Sequence, residues 1–132
     1  IEMAKKYQLP DRIIDFVRTH HGTNLVYYFY VQEKENTNNE VDEGNFRYPG
    51  PKPFSKETAI LMMCDSVEAA SKSLQQPTAI TIDKFVEKII NKQIDDNQFI
   101  NANVTFREIQ QIKRIIKSKL KNIYHLRVEY PE

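Results

Sequence analysis

Apolar residues recur at helical spacing along most of the chain, which predicts an all-α fold. Residues 10–21 form the first such segment, and two later segments, 82–94 and 106–124, show the clearest stripes. The residues expected to face the core are Ile13, Ile14, Phe16 and Val17 in the first segment, Ile82, Phe85, Val86, Ile89 and Ile90 in the second, and Ile109, Ile112, Ile116, Leu120 and Ile123 in the third. We therefore expect about five main helices.

Residues suited to helix ends support these boundaries. Gly22 can end the first helix, and Ser55 can cap a helix that continues to about residue 75, before Pro77. Thr81 is the expected cap of the next helix. Thr105 and Glu108 match a capping box, in which the two side chains bond to each other's backbone amide groups.

The segment 24–37 allows two readings. Its run "LVYYFYV" has high strand propensity, whereas Leu25, Tyr28, Phe29 and Gln32 follow helical spacing. We favour a helix because no neighbouring segment offers a partner strand. The polar and proline-rich segment 36–54 that follows is predicted to be a long loop, and loops of this length are often functional.

Composition limits the broad class without choosing a function. The chain has 132 residues, 40% of them hydrophobic, which is enough for one domain. The net charge of +1 gives no general attraction to nucleic acids or anionic membranes. No apolar run reaches the length of a membrane-spanning helix. The single cysteine, Cys64, lies in an apolar run and is expected to be a core residue.

His20 and His21 are adjacent at the expected end of the first helix, and only one other histidine occurs in the chain. Adjacent helical residues point about 100° apart, but at a helix end the second can turn back. Both imidazoles could then bind one ion of manganese, iron or zinc. The alternative is that they only hydrogen-bond free carbonyl groups at the helix end.

Asp65 lies inside the apolar segment "AILMMCDSVEAA". A carboxylate on a buried helix face must be paired, protonated or bound to a metal ion, because burying a free charge is costly. The alternative is an exposed stripe with Glu68 and Lys72, which follow it by three and seven residues. Residues alone leave both readings open.

Together these features resemble a known family. The segments "HHGT", "YPGPKPFSKETAILMMCDSVEAASKSL", "FREI" and "IYHLRVEYPE", in this order, resemble the cytoplasmic catalytic domain of bacterial seven-transmembrane HD-domain phosphodiesterases, which degrade cyclic di-AMP. The resemblance extends from about residue 7 to residue 132. It implies an HD-domain-like helical bundle, with residues 1–132 as the C-terminal portion of the domain, truncated at its N-terminus.

The resemblance also implies a two-metal centre, usually of iron or manganese. His20 and His21 match the family's histidine pair, which would serve one metal, and Asp65 matches its late aspartate, which would serve the other. The family's earlier histidines and its His-Asp doublet have no match in this sequence. We therefore expect an incomplete metal centre and an inactive isolated chain, with no catalytic residue beyond the metal ligands.

Further expectations concern substrate and partners. Lys52 and Lys72 could approach substrate phosphates and Tyr48 could stack on a base, although surface or packing roles are the alternatives. The implied substrate is cyclic di-AMP and the product its linear dinucleotide, in the cytoplasmic domain of a membrane protein. We expect no membrane contact by this segment and no nucleic-acid partner. Missing N-terminal helices would expose apolar surface, so self-association is expected.

Two other classes of function remain open from the sequence. One is a non-catalytic helical module for binding or dimerisation. The other is an HD phosphohydrolase that acts on a different nucleotide. Arg127 and His125, near the C-terminus, are expected to tie the tail to the core.

Overall fold

The chain forms a helical bundle in the computed structural model, which describes residues 1–126. The elements, in chain order, are α1 (Glu2–Lys6), α2 (Asp11–Thr19), α3 (Tyr27–Asn36), a 3-10 helix (Glu43–Phe46), α4 (Lys56–Ser71), α5 (Ala79–Asp95) and α6 (Phe106–Ile123). Within these residues, extended pairing is limited to one isolated antiparallel bridge between Leu25 and Arg47. The all-α prediction is confirmed.

Helices α4, α5 and α6 surround the hydrophobic core. Met62 and Met63 of α4 and Ile82, Val86 and Ile90 of α5 are fully buried. Ile109, Ile116 and Leu120 of α6 and Phe99 of the α5–α6 connection complete the cluster. Helix α2 packs on α4. The long amphipathic helices therefore form a scaffold, and α2 brings the histidine pair to its side.

Most predicted helix ends are confirmed, and one cap is wrong. Ser55 forms a capping box with Thr58, and Thr105 forms the predicted one with Glu108. Helix α5, however, begins after Thr78, whose hydroxyl accepts the Thr81 amide N–H at 3.1 Å. Thr81 is therefore the third residue of α5 and not its cap.

Helix α4 ends at Ser71, about four residues before the predicted end. The hydroxyls of Ser71 and Ser73 donate to the carbonyls of Glu68 and Ala70 at 2.7 and 2.8 Å. Such local side-chain bonds compete with continuation of a helix. The polar residues after Ala70 therefore explain the early end.

The helix predicted over 24–37 is confirmed as Tyr27–Asn36, but its aromatic face is not buried. Tyr28 and Phe29 are 70% and 57% exposed. Among residues 1–126 no partner strand forms beside this region, and Leu25 makes only an isolated bridge with Arg47 from the long loop. That loop is partly ordered by the 3-10 helix at Glu43–Phe46.

Several predicted core residues lie at the surface. Ile13, Val17 and Ile123 are exposed, whereas Ile14 is buried. At the end of α6 the inward position belongs to Tyr124, whose hydroxyl donates to the Ser71 carbonyl at 2.8 Å. Cys64 is exposed as well, because Met62, Met63 and Val67 occupy the inward face of α4.

At the C-terminal end, His125 is exposed and has a φ of 56°, and its amide donates to the Asn122 carbonyl. The contact with the core here is made by Leu126. Arg127 lies outside the described residues. Among residues 1–126, no helix combines the length and apolar character needed to cross a bilayer.

A buried ammonium group joins α5 and α6. Lys113 is 3% exposed, and its Nζ donates to Glu87 at 2.8 Å and to Asn91 at 2.7 Å. Lys117 donates to the other Glu87 oxygen at 2.7 Å. These hydrogen bonds lower the pKa of Glu87 from 4.5 to about 2. Glu87 is therefore the counter-charge that allows Lys113 to be buried.

We expect Glu87→Gln to reduce the free energy of unfolding by about 1 kcal/mol at neutral pH, after discounting for solvent screening of this partly exposed carboxylate. In the wild type the Glu87 contribution is complete above about pH 4.5 and declines toward pH 2, because its pKa is lower in the folded state. Urea unfolding between pH 2.5 and 7 measures both effects.

Glu68→Gln is the matched control, since Glu68 pairs with Lys72 on the exposed surface of α4. It should leave stability nearly unchanged. If Glu87→Gln and wild type lost stability in parallel on acidification, the role given to Glu87 would be wrong.

Candidate metal centre

The histidine pair lies where α2 ends. His20 is the C-terminal cap of α2 and keeps helical angles, with φ −64° and ψ −20°. Gly22 then has a φ of 49°, a left-handed conformation that glycine adopts readily. The chain therefore leaves the helix immediately after His21, and the two imidazoles can approach each other.

The hydrogen bond of His20 determines which of its nitrogens can bind a ligand. Its Nδ1 lies 2.8 Å from the Val17 carbonyl oxygen. Because a carbonyl oxygen can only accept, Nδ1 carries the proton and the lone pair of the neutral ring lies on Nε2. Metal-binding histidines commonly have such a bond, which orients the ring.

His21 lies between two other rings. Its centroid is 4.0 Å from that of His20 and 4.3 Å from that of Tyr48, and the Tyr48 ring is nearly parallel at 15°. Burial lowers the pKa of His21, and His20 lowers it further, while Asp65 acts in the opposite direction. The net effect favours the neutral imidazole, which is the form that binds metal ions.

Asp65 meets the histidines from α4. One ligand atom each from His20, His21 and Asp65 can be chosen so that all lie within 4.8 Å of one another. All three residues are half-buried. Two imidazole nitrogens and a carboxylate oxygen are a donor set that suits iron, manganese or zinc. The donor chemistry and spacing therefore fit a divalent transition-metal ion, or two neighbouring ions.

From the sequence, Asp65 could lie in a metal site or on an exposed stripe with Glu68 and Lys72. In the structure, Asp65 lies apart from that pair. Glu68 and Lys72 are exposed and form an ion pair at 3.4 Å. Lys72 caps the C-terminal end of α4, two turns from Asp65. Asp65 instead points to the end of α2.

A polar network behind the histidine turn was not predicted from the sequence. Gln98, which follows α5, is fully buried and accepts the Thr23 amide N–H at 3.0 Å. Arg47 donates to the Thr23 carbonyl at 2.9 Å and to Asp96 at 2.8 Å. Burial opposes ionisation of Asp96, but the hydrogen bonds from Arg47 and Gln98 outweigh it and lower the pKa of this carboxyl.

Only a weak sign of this network is present in the sequence. "DDNQ", residues 95–98, indicates a helix end, since asparagine often occupies the left-handed position after a helix. Asn97 does so, with a φ of 57°. Nothing in the pattern indicates that the following glutamine is buried against a turn 75 residues away.

Of the residues expected to bind substrate, Tyr48 and Lys52 lie near the histidine turn and its polar network, whereas Lys72 lies far from them. Tyr48 is stacked on His21, next to the histidine pair. Lys52 is half-buried and close enough to Asp96 to contribute to the lowered pKa of that carboxyl. Lys72 is held by Glu68 at the far end of α4. A substrate role for these residues stays a prediction.

An open groove of about 720 Å³ adjoins the polar network. Its lining includes Asn24, Arg47, Ser66, Lys92 and Asp96. Ser66 follows Asp65 and Arg47 precedes Tyr48 in the sequence, so the groove and the cluster share two segments of chain. Its volume lies within the range of about 300–1,000 Å³ typical of small-molecule sites.

Comparison with known proteins shows which proteins this chain is similar to. The chain is 43% identical over 130 residues to the cyclic-di-AMP phosphodiesterase PgpH of Bacillus subtilis, and 43% identical over 131 residues to that of Listeria monocytogenes. These alignments cover 98% and 99% of this chain but only 18% of each relative. No protein-family model matches the chain.

The fold is that of part of an HD domain. The crystal structure of the L. monocytogenes PgpH HD domain in complex with cyclic-di-AMP matches with a TM-score of 0.90 and 43% identity, over 98% of this chain and 60% of that one. The chain is therefore homologous to the PgpH cyclic-di-AMP phosphodiesterases and corresponds to a portion of their HD domain. The predicted resemblance and fold class are confirmed.

We expect Gly22→Ala to destabilise the protein by about 1–3 kcal/mol, because an added Cβ meets the Gln98 Oε1 at 2.5 Å and the Met62 Cε at 2.7 Å, in a left-handed conformation. Urea unfolding at pH 7 measures the change. Gly44→Ala is the control, since its φ is not left-handed and its nearest neighbour, Asp42 Oδ1, is 3.2 Å away. Equal costs at the two glycines would contradict the close packing of the histidine turn.

Proposed function

We propose that this chain forms part of the catalytic HD domain of a phosphodiesterase that depends on divalent metal ions and hydrolyses cyclic di-AMP to the linear dinucleotide. The observation that carries the proposal is the convergence of His20, His21 and Asp65 within 4.8 Å, in a fold homologous to the PgpH HD domain. The homologous domain's complex with cyclic-di-AMP supports this choice of substrate.

His20, His21 and Asp65 are the proposed metal ligands of the chain. The Val17 carbonyl orients His20 so that its Nε2 is available, and Tyr48 supports the His21 ring from one side. Asp65 supplies negative charge that partly compensates a cation. Divalent metal ions in such a centre polarise a phosphodiester and activate water.

Three ligands do not complete the coordination of two ions, each of which takes four to six donors. We place the remaining ligands in the part of the HD domain that has no counterpart among these 132 residues. This chain covers 60% of the PgpH HD domain chain, which leaves room for them. Iron or manganese is the proposed metal, and the isolated chain is expected to bind it weakly and to be inactive.

The groove beside the cluster is the proposed site for the part of the substrate away from the reacting phosphate. Arg47 and Lys92 line it together with the carboxylates of Glu43, Asp95 and Asp96, so its charges are mixed. Tyr27 and Tyr30 offer aromatic faces on which a base can stack. The proposal that this chain belongs to the cytoplasmic domain of a membrane protein rests on the sequence resemblance.

In equilibrium dialysis against manganese or iron(II) we expect weak binding by the chain, above background, and we expect His21→Ala and Asp65→Ala to reduce the bound metal to background, since each removes one of three ligands. Elemental analysis gives the metal content per chain. His125→Asn is the matched control, because His125 is exposed and asparagine tolerates its left-handed backbone. Metal content that is the same in all four proteins would contradict the site.

Activity can be tested in a chimera in which this chain replaces the corresponding segment of the L. monocytogenes PgpH HD domain. We expect hydrolysis of cyclic di-AMP to persist, and His21→Ala in the chimera to lower it by more than about 100-fold, the upper range for losing a residue that merely supports a metal ligand. His125→Asn should retain activity. A folded chimera that binds metal but does not hydrolyse cyclic di-AMP would favour another nucleotide or a binding role.

A further inference from the structure

We infer that Gln98 is a positioning residue for the metal centre: it holds the turn that carries His20 and His21 in the arrangement that a metal ion requires. The inference rests on the proposed function, because it concerns the same three ligands. In the described part of the chain, the side-chain hydrogen bonds of Gln98 go to Thr23 and Asp96 and to none of these ligands.

The end of α5 determines where Gln98 lies. The Gln98 amide N–H donates to the Gln93 carbonyl and the Asn97 amide N–H to the Ile94 carbonyl, both at 3.0 Å. With Asn97 in the left-handed conformation, this is a Schellman motif, which fixes the backbone after a helix. The residue at the Gln98 position of this motif usually makes a hydrophobic contact with the helix. Here it is a glutamine with a fully buried side chain.

The Gln98 side chain forms hydrogen bonds with Thr23, which lies two residues after His21. Its Oε1 accepts the Thr23 amide N–H at 3.0 Å, and its Nε2 donates to the Thr23 hydroxyl at 3.0 Å. Nε2 also donates to Asp96 at 3.0 Å, which fixes the orientation of the amide group. Because Gln98 is fully buried, the loss of these bonds would leave the Thr23 amide N–H without its partner.

A second connection runs in parallel through Arg47. Its guanidinium bridges Asp96 and the Thr23 carbonyl, so both backbone polar groups of Thr23 are bound to the end of α5. The next residue along the loop, Tyr48, donates its amide N–H to the Asn24 carbonyl at 3.0 Å and stacks on His21. Gln98 and Asp96 therefore set the position of the histidine turn and of the ring that supports it.

Hydrogen bonds within the turn do not supply this position. The Gly22 amide N–H donates to the Thr19 carbonyl and that of Asn24 to the His21 carbonyl, and both bonds move with the turn. They keep its local shape but do not relate it to α4, which carries Asp65. The packing of α2 on α4 brings the histidines near Asp65, and the bonds to α5 fix the position of the turn within that packing.

The test compares two buried glutamines. Gln98→Met removes the amide group at nearly constant shape, and Gln93→Met does the same at a side chain that bonds to Ser66 and not to the histidine turn. Gln93 is 5% exposed, so both changes are made in the interior. Two quantities are measured for each protein: the dissociation constant for Mn²⁺, and the NMR contact between the His21 and Tyr48 rings in the absence of metal.

For Gln98→Met we expect the Mn²⁺ dissociation constant to rise about 10- to 100-fold, the range observed for residues that orient metal ligands. The His21–Tyr48 contact should weaken or disappear, while far-UV circular dichroism shows an intact fold. Gln93→Met should change neither quantity, whatever its effect on stability. If Gln98→Met does not fold, Thr23→Val removes the hydroxyl partner from the other side of the same link.

The two readouts separate this inference from the proposed function. Unchanged Mn²⁺ affinity and an unchanged His21–Tyr48 contact in a folded Gln98→Met protein would overturn the positioning role and leave the metal site standing. If the wild type binds no Mn²⁺, the proposed metal site fails, and the ring contact alone decides whether Gln98 positions the turn. Equal changes in both glutamine variants would also overturn the inference, because they would reflect a general loss of packing.

Discussion

The hydrogen bonds between the side-chain amide of Gln98 and Thr23 connect parts of the chain that are 75 residues apart. On one side is the turn with the histidine pair, and on the other is the end of α5, which belongs to the hydrophobic core. An apolar contact could hold these segments together but would not specify their orientation, because the hydrophobic effect is not directional. Buried hydrogen bonds impose distance and angle. The geometry of the candidate metal centre therefore depends on a polar group in the interior.

Apolar and polar interactions have separate tasks in this domain. Helices α4, α5 and α6 bury methionine, isoleucine, valine and leucine side chains against one another, and this burial supplies most of the stabilisation. Lys113 and Gln98 are buried polar residues that connect neighbouring segments. Lys113 sets the pairing of α5 with α6 through Glu87, whereas Gln98 sets the position of the histidine turn on the core. Both satisfy their hydrogen bonds, which is the condition for burying them at moderate cost.

The sequence predicted the fold better than it predicted burial. Helix periodicity and the capping residues Ser55 and Thr105 depend on local interactions, so these predictions were confirmed. Burial depends on which helices meet, and the exposure of Val17 and Ile123 could not be read from either helix alone. The three candidate ligands were recognisable from residue type and family resemblance. The network of Arg47, Asp96 and Gln98 was not, because it joins three separate segments whose proximity exists only in the folded chain.

The placement of the histidine pair explains why this network matters. Within a continuous helix, side chains at adjacent positions diverge by about 100° and would not converge on one ion. Helix α2 ends at Thr19, and His20 still has helical backbone angles. The chain then turns away after His21, at Gly22. The two imidazoles can therefore converge because His21 lies outside the helix. A side chain outside a helix lacks the rigid backbone support that a helix provides. The bonds from Gln98 and Arg47 to Thr23 restore that rigidity from outside the helix. By this reasoning, precise ligand geometry at a helix end requires support from distant segments, and such support is harder to recognise in a sequence than the ligands themselves.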